Sequence, residues 1–348
     1  MKKIDIFDVD ESMRSSVLER WNTLAKPLGG LGRLEDMAAQ LGAIQRCLHP
    51  TMKKRAIVIM AGDHGVVEEG VTQTGQEVTK SVMENMVTTA SSISPFGQVA
   101  KADIIAVDVG IASDLSVKGV WDKKVRYGTG NIRKEPAMTR QEAKAAVLAG
   151  IEVAEELKKQ GYEGIAVGEM GIGNTTISSA ICACLLKLPV ELVTGKGAGL
   201  TSQALEVKIQ VIKDSLRLHQ PDTNDMIDVL SKIGGLEVAA MAGLYLGCAV
   251  YEMAAVIDGF ISSIAAYIAI QMEPKVKQYL FASHASAEPA GKAVMEAIGL
   301  IPYFYGDMRL GEGTGAAMCF SFMDYSLAAY EGIPSFASAE IEDYVPLQ

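Results

Sequence analysis

Cysteine is sparse and scattered in this chain. The five, Cys47, Cys182, Cys184, Cys248 and Cys319, have no spacing that suits a metal. Cys182 and Cys184 fall in an apolar helical stretch and are expected as buried thiols; the odd, dispersed set points to a reducing cytosol. Positive charge is short as well. A net charge of −10 argues against a nucleic-acid surface, although a small basic pocket can sit inside an acidic protein. Charged residues are 21% against 49% apolar, which excludes extensive disorder in 348 residues and fits a buried α/β core. The opening MKKIDIFDVDES has no apolar run, so no secretory signal is expected and a cytoplasmic location is. Residues 238–270 are apolar enough to suggest a membrane span. Glu252, Asp258 and Gly259 interrupt them, so they read instead as a buried helix over 236–250, a strand over 253–257 and a helix from 260. Walker A, G-x-G-x-x-G and G-x-S-x-G motifs are all missing, which argues against P-loop enzymes, dinucleotide-dependent dehydrogenases and elbow serine hydrolases. No metal and no cofactor is expected.

What is present centres on residues 163–176, EGIAVGEMGIGNTT. An apolar strand, Gly164–Val167, stops at Gly168 and Glu169. A glycine-rich turn then leads to Asn174, Thr175 and Thr176, which open a helix over Ile177–Leu188. Backbone N–H groups and the dipole at such a helix start favour an anion. The plain alternative is a tight strand-to-helix turn.

A rhythm of apolar runs surrounds this stretch. RAIVIMAGDHG ends at Asp63 and His64, ADIIAVDVG at Asp108, YEGIAVGEMG at Glu169, AAVIDG at Asp258, and QYLFASHAS at Ser283, His284 and Ser286. Helical stretches separate them, which predicts an α/β fold with a mostly parallel sheet and helices on both faces. Ligands bind outside the carboxyl ends of such strands, so five polar ends outline one edge of a site. Individually they are ambiguous: His64 is either a loop hydrogen bond or half of a catalytic pair with Asp63, and His284 is either packed or catalytic. His49 and His219 read as surface residues.

Three further loops stand out. In LGEGTGAA (310–317), glycines flank Glu312 and expose its carboxylate before a helix from Ala316. Glu312 and Glu169 on glycine-rich turns fit general-base work on a small substrate, against the alternative of acid at a helix start. TGKGAGLTSQALEVK (194–208) offers Lys196 and, better placed on a helix, Lys208 as phosphate partners, or else as solvated lysines. KPLGGLGRLE (26–35) flanks a turn with Lys26 and Arg33, which are either solvated or anion-contacting; the following helix carries Leu34, Met37, Leu41 and Ile44.

Taken together, KPLGGLGRLE, AGDHGV (61–66), QEVT (76–79), VDVG (107–110), GEMGIGNTT (168–176), GGLEVAAMAG (234–243), IDGFISSIAA (257–266), SHASAEP (283–289) and MRLGEGTGAA (308–317) closely resemble the nicotinate-nucleotide–dimethylbenzimidazole phosphoribosyltransferase family, in family order over nearly the whole chain. The resemblance implies transfer of the phosphoribosyl group of nicotinate mononucleotide to an incoming base, with inversion to an α-riboside phosphate used in cobamide lower-ligand assembly. It makes Glu312 the general base and Glu169 the second carboxylate. Gly171, Gly173, Asn174, Thr175, Thr176, Lys208, Asp258 and Ser286 match positions around phosphate and ribose; Thr72, Thr74, Gln76 and Leu310 match the acceptor side. It also implies a Rossmann-like sheet of about six strands over 51–305, a small helical domain from 1–50 and 306–348, and a dimer.

Departures from the family pattern cluster in GVTQTG (70–75), NMVTTASSISPFGQVA (85–100), EPAG (288–291) and the segment around Tyr305. They suggest an altered acceptor, with a phenol as a candidate. An alternative is a paralogous subunit, weakly active alone, in a hetero-oligomer.

Overall fold

The computed structural model describes residues 5–197, 199–342 and 344. Ala198, inside the loop at 194–208, and the N-terminal residues 1–4 lie outside the described residues. Strands run in the order β1 (Arg55–Gly62), β2 (Asp103–Gly110), β3 (Trp121–Asp122), β4 (Gly164–Met170), β5 (Ala254–Ile257), β6 (Leu280–Ala282), β7 (His284–Ala285) and β8 (Phe304–Tyr305). Helices are α1 (Glu11–Thr23), α2 (Arg33–Gln45), α3 (Glu77–Val87), α4 (Ser94–Ala100), α5 (Arg140–Lys159), α6 (Asn174–Leu186), α7 (Val190–Val193), α8 (Ser202–His219), α9 (Met226–Ile233), α10 (Leu236–Val250), α11 (Phe260–Met272), α12 (Gly291–Ile298) and α13 (Thr314–Gly332).

The main sheet has six strands in the order β3-β2-β1-β4-β5-β6, and every pairing is parallel. This is the doubly wound order, whose reversal between β1 and β4 opens a crevice at the strands' carboxyl ends. Helices cover both faces, so β1 and β4 are buried along their whole length and read as continuous apolar runs rather than alternating ones. On one face α5 and α10 approach almost backbone to backbone. A Cβ on Gly150 would fall 1.9 Å from the Ala240 carbonyl oxygen, and one on Gly243 1.9 Å from that of Val147. Only glycine fits at that crossing.

One strand expectation needs adjustment, and one strand was not foreseen. QYLFASHAS is not one strand. β6 ends at Ala282, Ser283 turns its hydroxyl onto the Asp258 carbonyl, and β7 leaves the sheet to pair with β8. The edge strand β3, two residues long, carried no visible pattern.

The chain ends join the sheet through α13. Arg55, buried at the start of β1, forks onto both oxygens of Asp324 at 2.8 Å and reaches the Phe320 carbonyl. Trp21 of α1, Ala38 and Ala39 of α2 and Tyr330 of α13 form a smaller cluster of their own. Lys26 is neither solvated nor aimed at an anion: it is buried in a pair with Glu35 at 2.8 Å. Arg33 stacks on Tyr303 and donates to the carbonyls of Ile301 and Pro302. His219 is half-buried against the Ile132 carbonyl, while His49 is exposed beside Glu331. Cys182 is buried; Cys184 is only partly so. No helix among the described residues is long and apolar enough to cross a membrane.

Candidate active site

A cavity of about 340 Å³ opens at the carboxyl ends of β4 and β5. Its apolar lining includes Val78 and Val82 from α3, Met170 at the end of β4, Ile172 after it, and Leu310. The polar lining includes Glu169, Asp258, His284, Ser286, Glu288 and Glu312. An apolar body with a few convergent polar groups suits a small organic ligand.

Glu312 stands on an unusual turn. Gly311, Glu312 and Gly313 have φ of 85°, 56° and 76°, three successive left-handed residues before α13. The conformation costs a non-glycine residue about 1 kcal/mol, so the surroundings must hold it. Asp258, at the end of β5, does so: its two oxygens accept from the Gly313 N–H at 3.1 Å and the Ala316 N–H at 3.0 Å. The strand-end carboxylate therefore caps α13 and fixes the loop that carries Glu312. Glu312 Oε2 is buried without a hydrogen-bond partner among the described residues. Burial and the Asp258 charge push its pKa up, and the Ile93 backbone N–H opposes them. That raises the carboxylate's basicity toward neutral pH.

Glu169 lies deeper, under Gly311, where a Cβ would fall 2.5 Å from its Oε1. Its Oε2 accepts from the Asn174 side-chain amide. Burial first, then the charges of Asp258, Glu237 and Glu312, push it from 4.5 up to about 8. At neutral pH Glu169 is a largely protonated acid. The two carboxyls thus have different jobs: Glu312 can take a proton, and Glu169 can donate a hydrogen bond.

At the other end, Gly171–Thr175 lead into α6, whose cap Gly173 has φ 100° and no side-chain cap bond. Thr79 of α3 accepts from the Ile172 N–H at 3.1 Å and steadies the loop. Lys208 is buried behind it and donates to Thr175 Oγ1 at 2.9 Å and the Gly195 carbonyl at 3.1 Å. Burial pulls its pKa down to about 8, against the opposing charge of Glu288. A desolvated ammonium beside a helix N-terminus is suited to an anion.

The expected residues do not all meet in one place. Glu169, Gly171, Asn174, Thr175, Asp258, Ser286, Leu310 and Glu312 line the main cavity. Gly173, Lys208, Thr72 and Thr74 line an adjoining recess of about 80 Å³ with Lys196. Thr72 and Thr74 thus sit at the anion end, away from Leu310. Gln76 turns its amide onto the His64 carbonyl at 3.0 Å. Thr176 is fully buried. Lys196 is exposed, with its Nζ 3.4 Å from Ser202.

Of the five strand ends, three reach the cavity. Asp63 instead accepts from the Ala112 N–H at 2.8 Å, and Asp108 from the Ile111 N–H at 2.9 Å and from Lys124. They close loops on the β1–β2 side. His64 does not pair with Asp63 either. Its Nε2 lies 3.0 Å from Glu237 Oε1 of α10, both groups sealed from solvent but misaligned for a hydrogen bond. Val78, Val82, Met170, Ile172 and Arg309 were not singled out from sequence. The i, i+4 spacing of Val78 and Val82 was a usable signal, although an apolar ligand wall and a core face look alike. No group of His, Cys, Asp and Glu among the described residues could hold a metal ion.

Similarity to known proteins agrees with this geometry. The profile of a family described as Phosphoribosyltransferase matches residues 6–341. The nicotinate-nucleotide–dimethylbenzimidazole phosphoribosyltransferase of Acetivibrio thermocellus is 46% identical over 330 residues, 95% of this chain and 94% of that protein. Its counterpart in Clostridium acetobutylicum is 44% identical over 340 residues, 98% and 97% of the two chains. The crystal structure of CobT from Thermus thermophilus superposes with a TM-score of 0.90 at 36% identity, covering 96% of this chain and 100% of that one. The chain belongs to the nicotinate-nucleotide–dimethylbenzimidazole phosphoribosyltransferase family.

Proposed function

We propose that this protein transfers the phosphoribosyl group of nicotinate mononucleotide to an aromatic acceptor, with Glu312 as general base. The observation that carries the reading is the buried, unpartnered Glu312 Oε2 in a cavity lined partly by Val78, Val82 and Leu310, which adjoins a recess holding the start of α6 and the buried Lys208. The relatives' names supply the substrates. The acceptor's ring nitrogen, or a phenol oxygen, attacks C1′ from the face opposite the nicotinate. The C1′–N bond breaks, its electron pair returns to the pyridine nitrogen, and nicotinate leaves. The acceptor proton passes to Glu312, and the product is an α-riboside phosphate. A pyridinium leaving group is already activated, so positioning, deprotonation and stabilisation of an oxocarbenium-like state suffice. Val78, Val82 and Leu310 hold the flat acceptor; Gly171–Thr175 and Lys208 hold the phosphate, with Ser286 beside the ribose. Protonated Glu169 donates a hydrogen bond, and Asp258 keeps the Glu312 turn in place.

The acceptor is open to a phenol as well as a benzimidazole, because the divergent 85–100 segment borders Glu312 through Ile93. Purified protein incubated with nicotinate mononucleotide and dimethylbenzimidazole, adenine, phenol or p-cresol tests the reading. Acceptor-dependent release of nicotinate with a riboside phosphate of matching mass is expected; phenols inert beside an active benzimidazole would remove the phenolic arm. The same proposal includes a dimer, homomeric or with a paralogous chain, through the exposed groove of Phe96 and Val99 on α4 and Met318 on α13, and a helical unit from 1–50 and 306–348. Sedimentation at assay concentration checks the dimer, and a monomer that is fully active would remove it.

A further inference from the structure

His284 lines the cavity, yet the reaction as written does not use it. Its ring is held on several sides. The first turn of α13 rests on it so closely that a Cβ on Gly315 would fall 2.0 Å from Nδ1. Phe304 stacks against it at 5.7 Å between centroids, and Phe322 of α13 continues the stack. The tautomer follows from Ser283. That hydroxyl donates its one proton to the Asp258 carbonyl at 3.2 Å, so its oxygen, 3.1 Å from Nδ1, accepts. Nδ1 therefore carries the hydrogen, and Nε2 of the neutral ring keeps a lone pair.

Nε2 has no hydrogen-bond partner among the described residues, and Asp258 makes no ion pair with it. It borders a small space beside Gly259: a Cβ built there would lie 3.7 Å from Nε2 and 3.8 Å from Ser286 Oγ. Gly259 and Ser286 also line the cavity. Burial lowers the ring's pKa below 6.5 against the Asp258 charge, which keeps it neutral at pH 7. A lone pair in a narrow niche that opens on the cavity repels phosphate and carboxylate oxygens and takes an O–H or N–H donor. The acceptor's N–H is committed to Glu312. The remaining donors on the substrate are the pentose hydroxyls.

We propose that His284 sets specificity for the pentose: its Nε2 accepts a hydrogen bond from a secondary hydroxyl of the phosphoribosyl group, next to Ser286. This rests on the function proposed above. A site built to bond a hydroxyl rejects the analogue that lacks it, because the buried acceptor is then left unpaired.

The test compares nicotinate mononucleotide with its 2′-deoxy and 3′-deoxy analogues on the intact protein and three variants. Wild type is expected to disfavour one analogue by about tenfold or more in kcat/KM. His284→Phe keeps the stack but has no acceptor, and His284→Asn reaches only the Nδ1 position. Both lose activity on the ribonucleotide but not on that analogue, so discrimination collapses. His284→Gln, with an oxygen near the Nε2 position, retains part of it. A His284→Asn or His284→Phe protein with wild-type discrimination overturns the inference, and so does a wild type indifferent to both deletions. Where His284→Phe does not fold, His284→Asn decides. No turnover of nicotinate mononucleotide by wild type would instead overturn the functional reading together with this one.

Discussion

Glu169 gives the most quantitative consequence of the site's electrostatics. Three carboxylates, Asp258, Glu237 and Glu312, act on a buried fourth, and burial dominates the result. Its folded pKa of about 8 lies above the ordinary 4.5, so the native state holds a proton that the unfolded chain has released across that interval. The stabilisation is therefore fully present below pH 4.5, is lost steadily as pH rises, and is gone above about 8. Displacement from 4.5 to about 8 corresponds to roughly 5 kcal/mol when fully expressed. Glu169→Gln mimics the protonated acid and does not titrate. Urea unfolding of wild type and variant at pH 5 and pH 8.5 should show the variant gaining roughly 4 kcal/mol on wild type between the two conditions. The assay needs no substrate. A gap between the two proteins that stays constant with pH would refute the reasoning, since it would mean that Glu169 ionises inside the fold as easily as outside.

Other outcomes follow from single contacts. Lys208→Met removes a buried ammonium that, among the described residues, bonds Thr175 and the Gly195 carbonyl. It should fold normally in a thermal melt while KM for the nucleotide rises on the order of tenfold to a hundredfold, the size of a charge-assisted hydrogen bond. Gly311→Ala meets both a φ of 85° and Glu169 Oε1 at 2.5 Å. A loss of about 1–2 kcal/mol in urea unfolding from the backbone alone, with reduced kcat, is expected; an unchanged protein would mean that the turn is not held as described. Asp258→Ala frees two backbone donors at the start of α13 and should cost about 1–3 kcal/mol in the same measurement.

β1 and β4 were readable from sequence because each lies between two helical layers, leaving the apolar runs RAIVIMAG and GIAVGEM that stop abruptly at glycine and a polar residue. The break at Ser283 and the two-residue β3 were not, since both depend on hydrogen bonds to distant carbonyls and not on a local pattern. The same limit applies to the site. Glu312 and Glu169 announced themselves through flanking glycines. The cap that Asp258 places on α13, 55 residues away in sequence, could not be seen as such, and a strand-end acid looked like a ligand contact. Asp63 and Asp108 illustrate the converse, being strand-end acids consumed by loops. Lys26 reads from sequence as solvated or anion-contacting because its partner Glu35 lies across a glycine turn whose path the sequence does not fix.

The central claim is that Glu312 receives the acceptor's proton. It is tested most directly by comparing Glu312→Gln with wild type in kcat for nicotinate release with an active acceptor, alongside equilibrium binding of nicotinate mononucleotide. The account predicts a fall in kcat of about a hundredfold to ten-thousandfold with nucleotide binding nearly unchanged, since the glutamine fills the same space but cannot take a proton. A kcat within a few-fold of wild type would place the proton elsewhere and contradict it.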